Sequence, residues 1–306
     1  MSRPRRTKVL ALLLALALAL ALALAAGIVA RHARGTGHGT APTVSLIAVG
    51  DIADCGSPGD EATALLVGSL PGTIAPLGDL AYERGSDADF ERCYAPSWGR
   101  FKPRTRPAPG NHEYYTPGAT GYFRYFGDAA RPGRGYYSYD LGAWHLISLN
   151  SNCRGAGGCD AGSPQERWLR ADLARNRGKR CTVAYAHHPR FSSGLHGNDR
   201  TLADLWGTLH RGGVDVILAG HDHDYERFAP QTPAGAPDPQ RGMRQFVVGT
   251  GGRSLTPVLL ARRNSEVRDS TSYGVLQLRL APRGYSWRFV PVADGTFTDA
   301  GSASCH

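Results

Sequence analysis

The segment from residue 218 to residue 227, with the sequence LAGHDHDYER, contains two imidazoles one residue apart, at His221 and His223. It follows the mostly apolar run 214–217. An apolar run of strand length that ends in glycine is typical of a buried strand, which here would carry both imidazoles at its C-terminal end. Two imidazoles beside carboxylates indicate a metal site. The alternative is an ordinary polar turn, because so short a motif also occurs by chance.

The same arrangement recurs four more times along the chain. Four further runs of strand character each end in side chains that can bind a metal: Asp51 after 44–50, Asp79 after 73–78, Asn111 and His112 after 106–110, and His187 and His188 after 181–186. In α/β sheets, ligands bind outside the carboxyl ends of the strands. Burying so many ionisable groups without compensation is costly, whereas metal coordination stabilises them. The sequence therefore predicts a metal centre.

These blocks resemble the signature of a known superfamily. The blocks are Gly50-Asp51, Gly78-Asp79-Leu80-Ala81-Tyr82, Gly110-Asn111-His112-Glu113, His187 and Gly220-His221-Asp222-His223. They are similar to those of the calcineurin-like metallophosphoesterases, and the purple acid phosphatase branch is the best match. Most members of the superfamily have a His ligand where this chain has Ala53, and Tyr82 stands where the purple branch has a phenol ligand. The purple enzymes usually have Gly at the position of Ala53. The resemblance covers residues 44–292.

The resemblance implies an α/β fold, a four-layer metallophosphoesterase sandwich with two mixed β-sheets flanked by helices. The residue pattern agrees, because predicted strands and helices alternate along the chain. Helices are predicted at 60–70 and 164–176, the second capped by Ser163 with Glu166 three residues later. Further strands are predicted at 136–141, 143–150, 244–248, 273–280 and 285–291.

The resemblance also implies two metal ions. One would be bound by Asp51, Asp79, Tyr82 and His223, and the other by Asp79, Asn111, His187 and His221, so that Asp79 bridges them. A phenol with an ordinary pKa of about 10 loses its proton near neutral pH only to a strong Lewis acid, which favours Fe(III) at the Tyr82 site. The mixed ligands of the second site suit Zn, Mn or Fe(II).

The implied function is hydrolysis of phosphomonoesters by attack of a metal-bound hydroxide. His112 would contact the phosphate or protonate the leaving oxygen. His196 stands where purple enzymes have a second such histidine, and its alternative is an exposed loop residue. A phosphodiesterase or nucleotidase on the same scaffold is an alternative function, and a non-catalytic secreted binding protein is an alternative of another class.

Other candidate residues have weaker patterns. His188 adjoins a predicted ligand and is interpreted as a packing residue under Pro189, and His145 alternates within an apolar strand and is predicted to be a core residue. The glycine-rich run 249–252 is predicted to be a turn, because no helix pattern follows it. An aromatic segment at 114–126 either lines a substrate cleft or packs in the core, and packing is the default expectation.

The first 43 residues are not expected to belong to the fold. Four cations precede an apolar run at 9–30, which is typical of a signal peptide or of an uncleaved membrane anchor. Both alternatives put the rest of the chain outside the cytoplasm. Residues 31–43 are interpreted as a flexible linker, 44–292 as the catalytic domain, and 293–306 as a tail tied by a disulfide.

The net charge and the cysteine content further limit the possible functions. The formal net charge of +9 includes the leading cations, and arginines are scattered without a dense basic run, so no nucleic-acid-binding module is expected. The expected partner is a phosphate ester, and membrane contact requires an uncleaved N-terminal segment. Six cysteines in an exported chain indicate disulfides, expected as Cys55–Cys93, Cys153–Cys159 and Cys181–Cys305. The alternative for Cys55 is a free thiol near Asp51.

Overall fold

The structure is a computed structural model that describes Ala17, residues 42–258 and residues 260–306. The export segment expected at 1–30 lies outside the described residues apart from Ala17, and the linker expected at 31–43 lies outside them apart from Pro42 and Thr43. No helix in the described part of the chain is long and apolar enough to cross a membrane.

The strands, in chain order, are β1 (Val44–Val49), β2 (Thr73–Pro76), β3 (Tyr137–Leu141), β4 (Trp144–Ser148), β5 (Cys181–Tyr185), β6 (Val216–Ala219), β7 (Tyr225–Phe228), β8 (Arg244–Val248), β9 (Ser265–Asp269), β10 (Gly274–Ala281), β11 (Gly284–Pro291) and β12 (Ala300–Ser304). The longer helices are α1 (Gly59–Ser69), α2 (Thr120–Phe126), α3 (Pro164–Arg175) and α4 (Ala203–Arg211). Short helical segments of several types lie at Asp87–Asp89, Phe90–Tyr94, Ala95–Ser97, Gly99–Arg104, Glu113–Tyr115, Pro117–Ala119 and Gly127–Ala130.

The strands form two mixed sheets, as predicted. The five-stranded sheet has the order β12-β11-β10-β1-β2, in which β1 and β2 are parallel and the other neighbours are antiparallel. The seven-stranded sheet has the order β3-β4-β5-β6-β8-β7-β9, with a parallel centre from β4 to β8 and antiparallel strands at both edges. The α/β fold class with two mixed sheets and flanking helices is therefore confirmed.

One hydrophobic core joins the two sheets. It includes Leu46 of β1, Val183 of β5 and Phe246 of β8, all fully buried. A second cluster packs α3 and α4 against the other face of the seven-stranded sheet, with Leu209 among its buried residues. Helices cover the outer faces, so the central strands are buried on both sides and appear in the sequence as continuous apolar runs.

Helix α3 begins as predicted. The Ser163 hydroxyl accepts a hydrogen bond from the Glu166 backbone N–H at 3.2 Å, and Pro164 occupies the first helical turn. A serine cap satisfies a backbone donor that the helix itself leaves without a partner. Pro164 costs nothing there because its missing N–H would have no intrahelical acceptor.

The prediction of a strand at 106–110 is wrong. This segment makes only isolated bridges beside β2, between Ile74 and Thr105 and between Leu77 and Ala108. Pro107 and Pro109 lack the backbone N–H that a regular ladder requires. The segment nevertheless runs alongside β2 and brings Asn111 and His112 to the same sheet edge.

The three predicted disulfides, Cys55–Cys93, Cys153–Cys159 and Cys181–Cys305, are confirmed. Cys55 is therefore not a free thiol. Cys181 is the first residue of β5 and Cys305 follows β12, so this bond links the two sheets. Residues 293–306, expected as a tail, contribute the edge strand β12.

His145 is buried as predicted, but it carries an ionic network as well as apolar contacts. Its Nδ1 atom lies 3.1 Å from Asp140 Oδ1, and its Nε2 atom lies 2.7 Å from Asp172 Oδ2. Lys179 pairs in turn with Asp140, and Arg175 with Asp172. Burial by itself lowers the pKa of the His145 imidazole, but the hydrogen bonds to Asp172 and Asp140 outweigh that effect and raise the pKa.

This network makes stability depend on pH. Because the folded pKa of His145 is raised, its stabilisation is fully present below the unfolded value of about 6.5 and is lost as the pH rises through the folded value. We expect His145→Gln to lower the free energy of unfolding by about 1 to 3 kcal/mol at acidic pH and by less at alkaline pH. Urea denaturation at about pH 6 and about pH 9 measures both values. The partly exposed His210→Gln is the control, and an equal loss at both pH values for His145→Gln would contradict the charged network.

Candidate metal centre

The predicted ligands lie at one edge of the two sheets, where several strands end. Asp51 follows β1, Asp79 follows β2, His187 follows β5 and His221 follows β6. Three of these residues have left-handed backbone conformations, with φ of 60° at Asp51, 51° at Asp79 and 74° at His221. Such conformations cost free energy in non-glycine residues and tend to cluster at functional sites.

The first group of predicted ligands comprises Asp51, Tyr82 and His223. The Tyr82 hydroxyl lies 3.1 Å from Asp51 Oδ1 and 3.3 Å from His223 Nε2. His223 Nε2 lies 3.5 Å from Asp51 Oδ1. His223 Nδ1 is 2.9 Å from the Ser254 carbonyl, to which it donates, so Nε2 presents its lone pair to the site.

The second group comprises Asp79, Asn111, His187 and His221, and it centres on His187 Nε2. This atom lies 3.0 Å from Asn111 Oδ1, 3.1 Å from His221 Nδ1 and 3.2 Å from Asp79 Oδ2. His187 Nδ1 is 2.8 Å from the Leu77 carbonyl, to which it donates. The two groups adjoin, because ligand atoms of Asp51, Asp79 and His187 all lie within 4.8 Å of one another.

The donor set fits metal ions. His187 donates from Nδ1, and Asn111 Nδ2 donates to the Tyr115 hydroxyl at 3.3 Å, so the other atom of each side chain faces the site. His187 Nε2 therefore meets an amide oxygen, a carboxylate oxygen and a second imidazole nitrogen. A single proton on Nε2 cannot serve all three, whereas a cation between them can.

The ionisation of the site supports the same interpretation. Burial raises the pKa of Asp51 to about 8, with a further contribution from Asp79, and His187 opposes both effects. Burial also acts to raise the pKa of Asp79, but the positive charge of His187 outweighs it and keeps Asp79 ionised. In return, Asp79 and Asp51 raise the pKa of His187 to about 9, against the effect of burial. The buried carboxylates thus require positive charge beside them, which bound metal ions would supply.

His112 lies beside the second group. Its Nδ1 atom is 2.6 Å from the Glu83 carbonyl, and its backbone N–H donates to Asp79 Oδ1 at 2.8 Å. The ring packs against Tyr82 and Tyr115, with centroid distances of 4.5 and 4.6 Å. His112 Nε2 lies 3.8 Å from Asp79 Oδ2, so the imidazole is oriented and remains at the edge of the predicted ligands.

His196 lies at the rim of the same site, although its side chain is about half exposed. Its ring centroid is 4.1 Å from that of His221. Asp222 Oδ1 accepts hydrogen bonds from the His196 backbone N–H at 2.8 Å and from its Nδ1 atom at 2.9 Å. Asp222 is fully buried and also accepts a hydrogen bond from the Ser192 hydroxyl. Sequence reasoning missed this role of Asp222, and its position between His221 and His223 was the available signal.

Sequence reasoning also missed Glu113. Its fully buried carboxylate accepts hydrogen bonds from the backbone N–H groups of Leu80 at 2.8 Å, Asp79 at 3.0 Å and Gly110 at 2.6 Å. It thereby ties the second block to the third. Gly110 is needed at this junction because a Cβ atom there would collide with the Asp79 backbone. The available signal in the sequence was a carboxylate at the end of the GNHE block, directly after two predicted site residues.

Two weaker candidates from the sequence, His188 and the run 249–252, also lie near the site. His188 Nδ1 lies 2.8 Å from the Ser151 hydroxyl, and the His188 ring centroid lies 4.4 Å from that of His221. Its imidazole also has ligand atoms within 4.8 Å of those of His187 and His221. The run 249–252 is irregular with a bend at 251–252, and the Gly251 N–H donates to the Gly50 carbonyl at 3.0 Å.

Comparison with known proteins gives a family match. The model of the calcineurin-like phosphoesterase family matches residues 38–225. The chain is 33% identical over 154 residues to purple acid phosphatase 21 of Arabidopsis thaliana, covering 47% of this chain and 34% of that protein. It is 30% identical over 230 residues to the uncharacterized protein Rv2577 of Mycobacterium tuberculosis, covering 59% of this chain and 43% of that protein. The chain thus spans less than half of the length of either relative.

Solved structures show the same fold. A purple acid phosphatase from yellow lupin (Lupinus luteus) seeds matches with a TM-score of 0.65 and 17% identity, covering 87% of this chain and 54% of that one. GAP50, the anchor in the inner membrane complex of Plasmodium, matches with a TM-score of 0.66 and 16% identity, covering 86% of this chain and 89% of that one. At these identities the likeness concerns the fold alone.

The role of Glu113 leads to a prediction. In Glu113→Gln, the amide keeps only one acceptor oxygen and turns an NH₂ group toward backbone donors. We therefore expect a loss of about 1 to 3 kcal/mol in the free energy of unfolding and a lower metal content, because the second and third blocks lose their common acceptor. Urea denaturation and elemental analysis measure the two effects. The exposed Glu61→Gln is the matched control, and full metal content in Glu113→Gln would contradict the role of Glu113 in holding the two blocks together.

Proposed function

Since this chain belongs to the calcineurin-like phosphoesterase family, we propose that it hydrolyses phosphomonoesters at a binuclear metal centre. The observation that supports the proposal most is the convergence of seven predicted ligand side chains in two adjoining groups at one sheet edge. The identity to relatives named purple acid phosphatase favours a phosphatase of that kind. The natural substrate is proposed to be a monoester, and an assay with matched mono- and diesters tests that choice directly.

The two metal ions would be held by the two groups of side chains. Asp51, Tyr82 and His223 would bind one ion, and Asn111, His187 and His221 would bind the other, with Asp79 between them. The phenol of Tyr82 favours Fe(III) at the first site, and the mixed ligands of the second suit Zn, Mn or Fe(II). When bound, such ions act as Lewis acids that offset phosphoryl charge and lower the pKa of water.

His112 is proposed to act on the phosphate or on the leaving oxygen. Its Nδ1 atom faces the Glu83 carbonyl at 2.6 Å, which directs Nε2 toward the predicted ligands. Packing against Tyr82 and Tyr115 limits rotation of the ring. An imidazole so oriented can donate a proton or a hydrogen bond at a fixed position, which is the requirement for general acid catalysis.

His196 is proposed to make a second contact with the substrate. The Asp222 carboxylate accepts hydrogen bonds from both the backbone and Nδ1 of His196, so the imidazole is held with Nε2 free. A carboxylate behind an imidazole fixes its tautomer and stabilises its protonated form. The pair Asp222 and His196 would therefore present a hydrogen-bond donor at the rim, beside His221.

We also propose that the enzyme acts outside the cytoplasm. Disulfides are typical of oxidising compartments, and the described residues form three. The apolar run at 9–30 supports export, either as a cleaved signal peptide or as an anchor. The catalytic domain would comprise residues 44–292 together with the edge strand β12, which belongs to its five-stranded sheet.

The first prediction from this function concerns colour. With iron bound at the Tyr82 site, the oxidised protein should absorb visible light through charge transfer from the phenolate to the metal. Tyr82→Phe should abolish this band because the phenolate is gone. Visible spectra with iron analysis on the same samples measure it. Tyr225→Phe, which removes a buried hydroxyl bonded to Asp299, is the control, and an active iron-loaded wild type without a visible band would overturn the assignment.

The second prediction concerns His112. If this residue protonates the leaving oxygen, His112→Ala should retain both metals and lose about 10²- to 10⁴-fold in kcat on an alkyl phosphate. The loss should be smaller on a nitrophenyl phosphate, whose leaving group needs little protonation. Steady-state kinetics with metal analysis test this, with His210→Ala as the control. Equal losses on the two esters would indicate phosphate binding instead, and loss of metal would make His112 a ligand.

A further inference from the structure

A cavity of about 690 Å³ opens next to the second group of predicted ligands. We name it the Tyr114 pocket. The residues that matter here are two aromatic side chains, three small polar side chains and one cation: Tyr114, Phe123, Ser151, Asn152, Thr201 and Arg154. Its volume is within the range of about 300 to 1,000 Å³ that is common for small-molecule sites.

The Tyr114 pocket shares a wall with the candidate metal centre. His188 lines the pocket, and its ring centroid lies 4.4 Å from that of His221 and 5.0 Å from that of His187. Tyr114 is two residues from His112, and its backbone N–H donates to the Asn111 carbonyl at 3.0 Å. The Tyr114 pocket therefore adjoins the second group of predicted ligands through His188 and through the backbone contact between Tyr114 and Asn111.

The pocket is built from restrained elements. The disulfide Cys153–Cys159 closes the loop that forms one wall. Asn152 Nδ2 donates to the Pro109 carbonyl at 3.2 Å, which ties this loop to the segment before Asn111. Gly155 lies directly on the ring of Tyr114, so closely that a Cβ atom there would collide with it. A wall that is ordered before binding reduces the entropy cost of binding a ligand.

Four residues of the aromatic segment at 114–126 show that its side chains have different positions. Tyr122 and Phe126 are buried and pack in the core, which is the default expectation for such residues. Tyr114 and Phe123 are only partly buried, and they line the cavity. Aromatic rings beside an open space offer surfaces on which a planar group can stack.

The polar side chains that line the pocket restrict the class of ligand further. Thr201 provides a hydroxyl, Asn152 provides an amide and the exposed Arg154 provides a guanidinium, whereas the Ser151 hydroxyl is already bonded to His188. A bare phenyl group would use only the rings. A nucleoside has a planar base for the rings and ribose hydroxyls and ring nitrogens for the polar groups, so it matches both parts of the lining.

We propose that the Tyr114 pocket is the leaving-group subsite and that it selects nucleoside monophosphates among phosphomonoesters. This inference rests on the proposed phosphatase function and adds its substrate class. Phe123 provides a stacking surface, and Arg154 contacts the polar edge of the base or the ribose. Neither residue belongs to the predicted metal ligands or to the groups proposed to act on the phosphate.

The test compares adenosine 5′-monophosphate, phenyl phosphate and glycerol 3-phosphate on metal-loaded protein. Phe123→Leu should raise KM about 5- to 20-fold for the two ring-bearing esters, because stacking on an aromatic ring is lost. It should leave kcat and the kinetics of glycerol 3-phosphate within about twofold. Arg154→Ala should raise KM about 3- to 10-fold for the nucleotide alone. The matched controls are Phe297→Leu, equally half-buried at another place in the fold, and the exposed Arg177→Ala.

Glycerol 3-phosphate turnover also reports whether each variant is folded. Equal changes for all three esters, or no change in either variant, would overturn the subsite while leaving the phosphatase function intact. A Phe123→Leu effect without an Arg154→Ala effect would overturn the assignment to nucleosides. If metal-loaded wild type hydrolyses none of the esters, the proposed function fails, and titration calorimetry with adenosine then tests the pocket separately. Binding at least fivefold weaker in Phe123→Leu would support the pocket, and no binding to the wild type would overturn it.

Discussion

The burial of Asp51 and Asp79 at one sheet edge is the constraint on which the rest of the site depends. Two carboxylates without solvent contact are unfavourable unless positive charge lies beside them. Within the protein, His187 provides that charge and is itself made more basic by both carboxylates. The amide of Asn111 and the imidazole of His223 present lone pairs to the site, so they cannot supply positive charge. The site is thus organised around positive charge that bound metal ions would supply.

The fold holds these groups in place through backbone contacts. The left-handed residues Asp51, Asp79 and His221 turn sharply just after their strands. Their conformations are supported by the hydrogen bonds that Glu113 and Asp51 accept from nearby backbone N–H groups, among them that of His221 at 2.8 Å. Strain at a site of this kind persists only where the surrounding structure determines it fully. The parallel centre of the seven-stranded sheet and the β1–β2 pair provide that rigid support.

The pocket beside the site has a different origin. Its walls come from loops, namely the disulfide-closed segment around Cys153 and the turns that follow His112. Loops on a rigid scaffold commonly determine which ligand binds, while strand ends hold the reactive groups. The same division applies here, because four of the predicted metal ligands follow strands, whereas the pocket side chains lie on loops and helices outside the two sheets. The network of His145, Asp140 and Asp172 lies apart from both and contributes stability instead.

The three disulfide pairs were expected from the order of the cysteines along the chain. The sequence alone also determined the α/β class, most strands, the helices α1 and α3, and the blocks that converge at the site. It could do so because apolar runs, caps and short motifs are local patterns. The prediction of a strand at 106–110 was wrong. The segment runs beside β2, but its two prolines lack the backbone N–H groups that regular strand pairing requires. Only the tertiary structure revealed that Glu113 ties two blocks together, that Asp222 orients His196, and that Tyr114 and Phe123 line a cavity while Tyr122 packs in the core. Each of these depends on which distant segment lies opposite a side chain, and that information arises only when the chain has folded.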